Sequence, residues 1–311
     1  MRLSRRRFLR AGAVFGALTA LGCARHRLPV HVPPAAYADL PPLGAEVRLL
    51  VLGDWGSGQI EQWQVARAMD RAARESGGFH AGLMLGDNFY PAGVDSVDDP
   101  AWREYFEQVY DTEHLGRLHW YPVLGNHDYA GNAQAQIDYS RKNPRWHLPD
   151  AFWARTWNNA AGAPLVKIIG LDTNKEFTRW PEQMRFLDRE LADAGSTPVV
   201  VIGHHPVYTC GKLGALPRVK TELRDKLVAA RVAAYLAGHE HNHQLIVRDG
   251  LTQLIQGGGG KTLTPLIWRH QAKGVIFADE SYGFSVLRAG PGGLRFDWRD
   301  KDGRLLHAHK L

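Results

Sequence analysis

Cysteine is almost missing from this chain: Cys23 and Cys210 are the two in 311 residues. With Cys23 placed in a processed or lipidated leader, Cys210 stands alone, so no internal disulfide staples the fold and stability must come from packing and bound metal. Internal repeats and low-complexity tracts are lacking too, apart from Gly257–Gly260. Acidic residues are absent from residues 1–22, where Arg2, Arg5, Arg6, Arg7 and Arg10 sit. Those five account for all but about +1 of the formal +6. The basic balance is therefore that of an export signal and not a nucleic-acid footprint, and no nucleic-acid partner is expected. What remains, at 44% hydrophobic content, is enough chain to bury one large core or two ordinary ones.

The apolar run from Ala11 to Gly22 is too short for a lasting membrane span. Preceded by Ser4-Arg5-Arg6-Arg7-Phe8-Leu9, it resembles a bacterial twin-arginine signal, which carries proteins already folded and suits one that loads metal before export. The expected partner is the twin-arginine machinery, and the expected location is the periplasm or the outer face of a membrane. Ala20-Leu21-Gly22-Cys23 is an imperfect lipoprotein pattern, with a possible lipid anchor on Cys23. Pro29, Pro33, Pro34, Pro41 and Pro42 read as a stiff tether or an unstructured leader. The chain divides into a signal peptide over 1–22, a Pro-rich linker over 23–44 and a catalytic domain over 45–311.

From Val47 onward apolar strands alternate with amphipathic helices. Strands are predicted at Val47–Leu52, Ala81–Leu85, Trp120–Leu124, Val166–Leu171, Val199–Ile202 and Ala233–Leu236, and helices at Ile60–Glu75, Pro100–Tyr110, Pro181–Ala194 and Lys220–Ala230. Beyond His239 the pattern changes to hairpins, with turns at Asp249-Gly250, Pro291-Gly292-Gly293 and Asp302-Gly303. This predicts an α/β fold of two packed β-sheets flanked by helices, with a site where several strands end.

Five Gly-punctuated motifs sit at those ends: Gly53-Asp54-Trp55-Gly56, Gly86-Asp87-Asn88-Phe89-Tyr90, Gly125-Asn126-His127-Asp128, Gly203-His204-His205-Pro206 and Gly238-His239-Glu240-His241. The glycines are expected to supply the positive φ angles that turn the next side chain inward. Asp54, Asp87 and Tyr90 are hard oxygen donors and Asn126 a neutral one, while His204, His239 and His241 offer imidazoles suited to iron or zinc. Together they point to a pair of metal ions, with a tyrosinate on one of them.

On these motifs, from about Val47 to the C-terminus, the chain resembles the purple acid phosphatases of the small tartrate-resistant kind, within the calcineurin-like metallophosphoesterases. The resemblance implies a four-layer α/β/β/α sandwich. It implies Fe(III) on Asp54, Tyr90 and His241, a divalent ion (Fe, Zn or Mn) on Asn126, His204 and His239, and Asp87 bridging them. Tyr90 selects this subfamily, since generic members of the superfamily lack it. The implied activity is acid hydrolysis of small phosphate monoesters by metal-activated hydroxide. A phosphodiesterase or nucleotide hydrolase on the same scaffold, and a non-catalytic metal- or phosphate-binding lipoprotein, are the alternatives.

His127 is expected to contact phosphate or protonate the leaving group, Asp128 to orient its turn, and His205 to be pocket wall or an extra donor. Glu240 should point away from the metals, and His243 should be a surface or strand residue. Two departures from the family pattern stand out. The long loop that covers the site in animal members is missing after Leu171-Asp172-Thr173, and Lys212 and Leu213 occupy the place of a Glu-His pair. Lys212 therefore joins His127 and His205 as a candidate for binding phosphate or donating a proton.

Overall fold

The computed structural model describes residues 37–311, so the expected signal peptide, its arginine pair and Cys23 lie outside the described residues. In chain order the strands are β1 (Val47–Leu52), β2 (Ala81–Met84), β3 (Trp120–Pro122), β4 (Trp153–Asn158), β5 (Pro164–Gly170), β6 (Val199–Ile202), β7 (Ala234–Ala237), β8 (His243–Arg248), β9 (Leu251–Gln256), β10 (Val275–Asp279), β11 (Gly283–Gly290), β12 (Gly293–Asp300) and β13 (Leu305–Lys310). The α-helices are α1 (Ile60–Ser76), α2 (Ala133–Tyr139), α3 (Trp180–Ala192) and α4 (Arg224–Ala229). One sheet has the order β13-β12-β11-β1-β2-β3 and the other β10-β8-β9-β7-β6-β5-β4. Both are mixed: β1, β2 and β3 run parallel, as do β5, β6, β7 and β9, while hairpins add antiparallel strands at the flanks.

Period-two alternation sorts the second sheet's side chains between two cores. Ile168, Val200, Ile202, Ala234, Leu236 and Leu254 face the first sheet, joining Leu50, Leu52, Leu83, Phe284 and Phe296 in one buried cluster. Their neighbours Ile169, Val201, Tyr235, Ala237 and Ile255 point the other way, into a cluster with Met184 and Leu187 of α3 and Leu227 of α4. On the far side of the first sheet α1 buries Trp63, Ala66 and Met69, the face its sequence predicts, and ends at Gly77 in the left-handed conformation (φ 76°). Helix, sheet, sheet and helix therefore stack as four layers, each sheet covered on both faces.

Several expectations change in detail. The predicted helix at Pro100–Tyr110 contains a π-helical stretch over Trp102–Glu107, and the one at Lys220–Ala230 divides into a π-helical Val219–Leu223 and α4. Strands β4 and β10, unforeseen in the sequence, are the two edges of the second sheet. Edge strands are half exposed and need no apolar run, as Arg155, Thr156 and the exposed Ile276 show. Part of the expected linker lies on the domain, since Ala38 donates its N–H to the Glu113 carbonyl at 2.7 Å and Leu40 packs against the core.

Register decides where the site forms. Leu52 pairs with Met84 and Met84 with Pro122, so β1, β2 and β3 stop side by side. Gly170, Ile202 and Leu236 are likewise in register on the second sheet, and Leu236 pairs with Leu254. The two rows of carboxyl ends meet: the Leu85 carbonyl accepts a hydrogen bond from His204 Nδ1 at 2.8 Å.

Candidate metal centre

The residues expected to turn their neighbours inward are themselves relaxed, and the strain falls on the functional side chains. Asp54 (φ 57°), Asp87 (φ 50°) and His239 (φ 69°) occupy the left-handed region, whereas among the preceding glycines only Gly86 (φ 88°) does. Such conformations cost about 1–3 kcal/mol each and persist where surrounding contacts fix them. The other glycines are needed for close approach. A Cβ on Gly125 would stand 2.2 Å from Asp87 Oδ1, and one on Gly238 would stand 2.6 Å from Asp54 Oδ2. This corrects the expectation that the glycines serve chiefly as positive-φ hinges.

All seven predicted donors come together. Tyr90 Oη lies 3.1 Å from Asp54 Oδ1, 2.9 Å from Asp87 Oδ2 and 3.2 Å from His241 Nε2. Across Asp87, His204 Nε2 lies 3.3 Å from Oδ1 of that carboxylate and 3.2 Å from Asn126 Oδ1, which is also 3.1 Å from His239 Nδ1. The two oxygens of Asp87 thus face two separate groups of donors. Ligands bonded at about 2.0–2.2 Å and at right angles on one ion stand about 3 Å apart, which is the spacing of both groups.

Chemistry supports the same reading. Tyr90 has one hydroxyl hydrogen for three acceptors, because His241 donates its Nδ1–H to the Thr262 carbonyl at 2.7 Å and presents a bare Nε2. Asp54 and Asp87 are buried, and no lysine or arginine among the described residues pairs with either. Burial, with Asp87 alongside, pushes the Asp54 carboxyl well above the usual range, and burial plus the two carboxylates pushes the Tyr90 phenol up. Burial pulls His204 down, but the Asp87 charge outweighs it and raises the imidazole to about 9. The cluster asks for positive charge on both sides of Asp87, and a bound cation would reverse the penalties on its acids. The residues present therefore fit a dinuclear metal centre.

The backbone behind the donors is held by polar groups, several of which the sequence did not single out. Asp128 is buried and accepts N–H bonds from Asn88, Phe89 and Gly125 and from the Gln136 side chain, at 2.8–3.2 Å, clamping two motif turns together. Thr173 Oγ1 accepts the N–H groups of His204 and His205 at 3.2 and 3.0 Å. Its remaining hydrogen then points to His205 Nδ1 at 3.0 Å, which leaves the His205 proton on Nε2. Asn174 Nδ2 donates to the Leu124 carbonyl at 3.0 Å and so ties the second sheet's loop to the Asn126 turn. Thr173 closes the Leu171-Asp172-Thr173 stretch, and Asn174, just beyond it, was not singled out in the sequence.

The candidate proton donors occupy different surroundings. His127 donates Nδ1–H to the Pro91 carbonyl at 2.6 Å and lies with its ring 4.5 Å from that of Tyr90, leaving Nε2 unused. His205 is buried with its ring 4.7 Å from that of His239. Lys212 is exposed and has no hydrogen bond or ion pair among the described residues. Its loop hangs from Glu240, which points away from the donors as predicted and accepts the N–H groups of Leu213 and Gly214 at 2.8 and 2.9 Å. His243 opens β8 and is fully buried there, which is the strand placement of the two expected for it and not the surface one. Trp55 packs among Phe89, Phe106, Tyr110 and Trp146 beneath the first two motifs.

Replacing Asp128 by Asn puts an amide NH2 where the carboxylate meets several donors. The expected loss is about 1–3 kcal/mol in denaturant unfolding. Metal content per chain should fall as well, because both turns that carry donors loosen; stability and metal content equal to wild type would show that Asp128 is no clamp.

The matching family model is that of calcineurin-like phosphoesterases, over residues 47–243. The tartrate-resistant acid phosphatase type 5 of Oryctolagus cuniculus is 34% identical over 294 residues, covering 85% of this chain and 90% of the relative. Purple acid phosphatase 7 of Arabidopsis thaliana is 31% identical, covering 84% and 85%. Among solved structures, GAP50, the anchor in the inner membrane complex of Plasmodium, has a TM-score of 0.73 at 22% identity, covering 86% of this chain and 89% of that one. The purple acid phosphatase PPD1 from Lupinus luteus seeds has a TM-score of 0.66 at 14% identity, covering 87% and 54%. At those identities the two structures speak to the fold alone, and they agree with the four layers described. The curated relatives reach further, and with them the chain belongs to the calcineurin-like phosphoesterases, in the branch of the tartrate-resistant and purple acid phosphatases.

Proposed function

We propose that the protein is an exported acid phosphatase that hydrolyses small phosphate monoesters at a dinuclear centre. In this reading Asp54, Tyr90 and His241 hold Fe(III), Asn126, His204 and His239 hold a divalent ion (Fe, Zn or Mn), and Asp87 is shared. The observation that carries it is Tyr90 Oη standing within 3.2 Å of Asp54, Asp87 and His241. A phenolate is a hard anionic donor and suits a trivalent ion. Asp54, Asp87 and ionised Tyr90 contribute three negative charges, so five positive charges leave about two in excess, enough to attract the dianion of a monoester more strongly than a singly charged diester. When bound, such a pair of ions supplies Lewis-acid polarisation of the phosphoryl group and acidification of water.

The chain's own residues supply orientation and protons. Leu85 and Thr262 carbonyls fix His204 and His241 with Nε2 toward the centre. His127, with Nε2 unused, and His205, with its proton on Nε2, are placed to hold a phosphate oxygen or protonate the leaving oxygen. Lys212 takes the same role only if its exposed side chain swings over the site. Six residues, 174–179, separate Thr173 from α3, too few to form a covering loop. Export by the twin-arginine route and a lipid on Cys23 complete the proposal; they rest on the leader sequence.

The iron-loaded protein should be pink to purple and should release phosphate faster from an aryl monoester than from a bis-aryl diester. Tyr90→Phe should lose the visible band while circular dichroism stays native. A colourless native protein with its full iron content would refute the assignment of Tyr90 to Fe(III), and a preference for the diester would refute the monoesterase reading.

Single alanine variants of His127, His205 and Lys212 should be compared on aryl and alkyl phosphates. The proton donor's variant should lose about 10²–10⁴-fold in kcat on the alkyl ester and much less on the aryl ester. Equal losses on both esters mark a binding role instead.

Changing Arg5 and Arg6 together to Lys keeps the charge and should leave the precursor in the cytoplasm, as judged by fractionation. Normal export of that variant would rule out the twin-arginine route.

A further inference from the structure

Lys261 belongs to none of the five motifs, yet it is built into the centre. Its N–H donates to the Asp54 carbonyl at 2.9 Å, and the preceding Gly260 carbonyl accepts the Ser57 hydroxyl at 2.8 Å. Gly260 adopts φ 153°, and a Cβ there would stand 2.7 Å from Gln62 Cβ, so the backbone at this point is fixed against α1 and the turn that carries Asp54. The side chain runs from that anchor across Tyr90, placing Nζ 4.7 Å from the ring centroid. Lys261 is partly buried and has no ion pair or side-chain hydrogen bond among the described residues. Its ring contact is with Tyr90, and its charge is felt as well at His241 beside that ring. Arg179 shows the more usual arrangement in this fold, forked between Asp150 and Glu182.

An ammonium over a neutral phenol is attracted by the ring's quadrupole. When Tyr90 is ionised its ring carries a full negative charge, and a fixed cation at this distance in a half-desolvated position acts on it far more strongly. A positive charge beside the donor lowers the energy of the phenolate electrons that would be shared with a metal. We infer that Lys261 is a positioning and tuning residue for Tyr90: its charge limits how much electron density the phenolate gives its ion, which keeps that ion a stronger Lewis acid. The inference rests on the reading of Tyr90 as an Fe(III) ligand.

Two directions follow from electrostatics alone. Removing the charge makes the phenolate a better donor, so the tyrosinate-to-iron band moves to longer wavelength. The same change favours Fe(III) over Fe(II) and lowers the reduction potential of that ion.

The experiment uses the full chain purified with its metals, comparing wild type with Lys261→Met and Lys261→Arg at matched metal content by visible spectroscopy and redox titration. Lys261→Met should show the band at longer wavelength and a lower potential, and Lys261→Arg, which keeps the charge, should restore both toward wild type. Unchanged band and potential in Lys261→Met, in a protein whose colour is lost in Tyr90→Phe, would overturn the role of Lys261 while leaving Tyr90 as a ligand. A shift of equal size in Lys261→Arg would also overturn it, because it would show that packing and not charge sets the band. A colourless wild type with full iron would instead remove the Fe(III) reading, and this inference with it.

Discussion

Two buried carboxylates set against each other, with no lysine or arginine among the described residues paired to either, are the constraint on which the rest of this structure turns. Burying an ion costs several kcal/mol after relaxation, and Asp54 and Asp87 are both buried. Around them stand a phenol, a neutral amide and three imidazoles, each turned so that an oxygen or nitrogen faces inward. Such a set is stable only with positive charge between its members. The Asp87 charge raises the His204 imidazole, which marks the same demand for positive charge, and metal ions would meet it.

Holding the donors in place strains the backbone at the donors themselves, and groups outside the centre hold it there. Asp54, Asp87 and His239 sit in left-handed conformations. The turns around them are pinned by Asp128, Thr173, Asn174 and Glu240, each buried and each bonded to backbone groups of a motif or of the loop beside it. The polar network also crosses between sheets, as in the bond from Asn174 of one sheet's loop to Leu124 of the other's. A donor set drawn from two sheets has no fixed geometry unless the sheets are tied together at their ends.

Central elements were legible from residue patterns because burial on both faces enforces them. Val199–Ile202 is four consecutive aliphatic residues and is a strand in the middle of its sheet. The Asp249-Gly250 turn, with φ of 49° and 81°, closes the predicted hairpin because those two residue types tolerate the left-handed region. Edge strands β4 and β10 and the short helix α2 were illegible for the converse reason: their residues are half exposed and carry no strict period. In the π-helical stretch at Trp102–Glu107, Trp102 and Phe106 pack among Phe89, Tyr139 and Trp146, a contact set that no local pattern encodes.

For the centre, the sequence by itself determined the kinds of donor and the turns that bear them, because metal-binding side chains beside glycines at strand ends are a local property of the chain. It also marked His127, His205 and Lys212 as proton-donor candidates. Tertiary structure alone decided how these share the work: that Asp87 faces two donor groups, that His205 keeps its proton on Nε2, that Lys212 is exposed on a loop hung from Glu240, and that Lys261 lies over Tyr90. Each depends on groups far apart in sequence approaching within hydrogen-bonding or ring-contact distance, as Tyr90 and Lys261 do. Such approaches are fixed by the register and packing of two sheets, and no short stretch of sequence contains them.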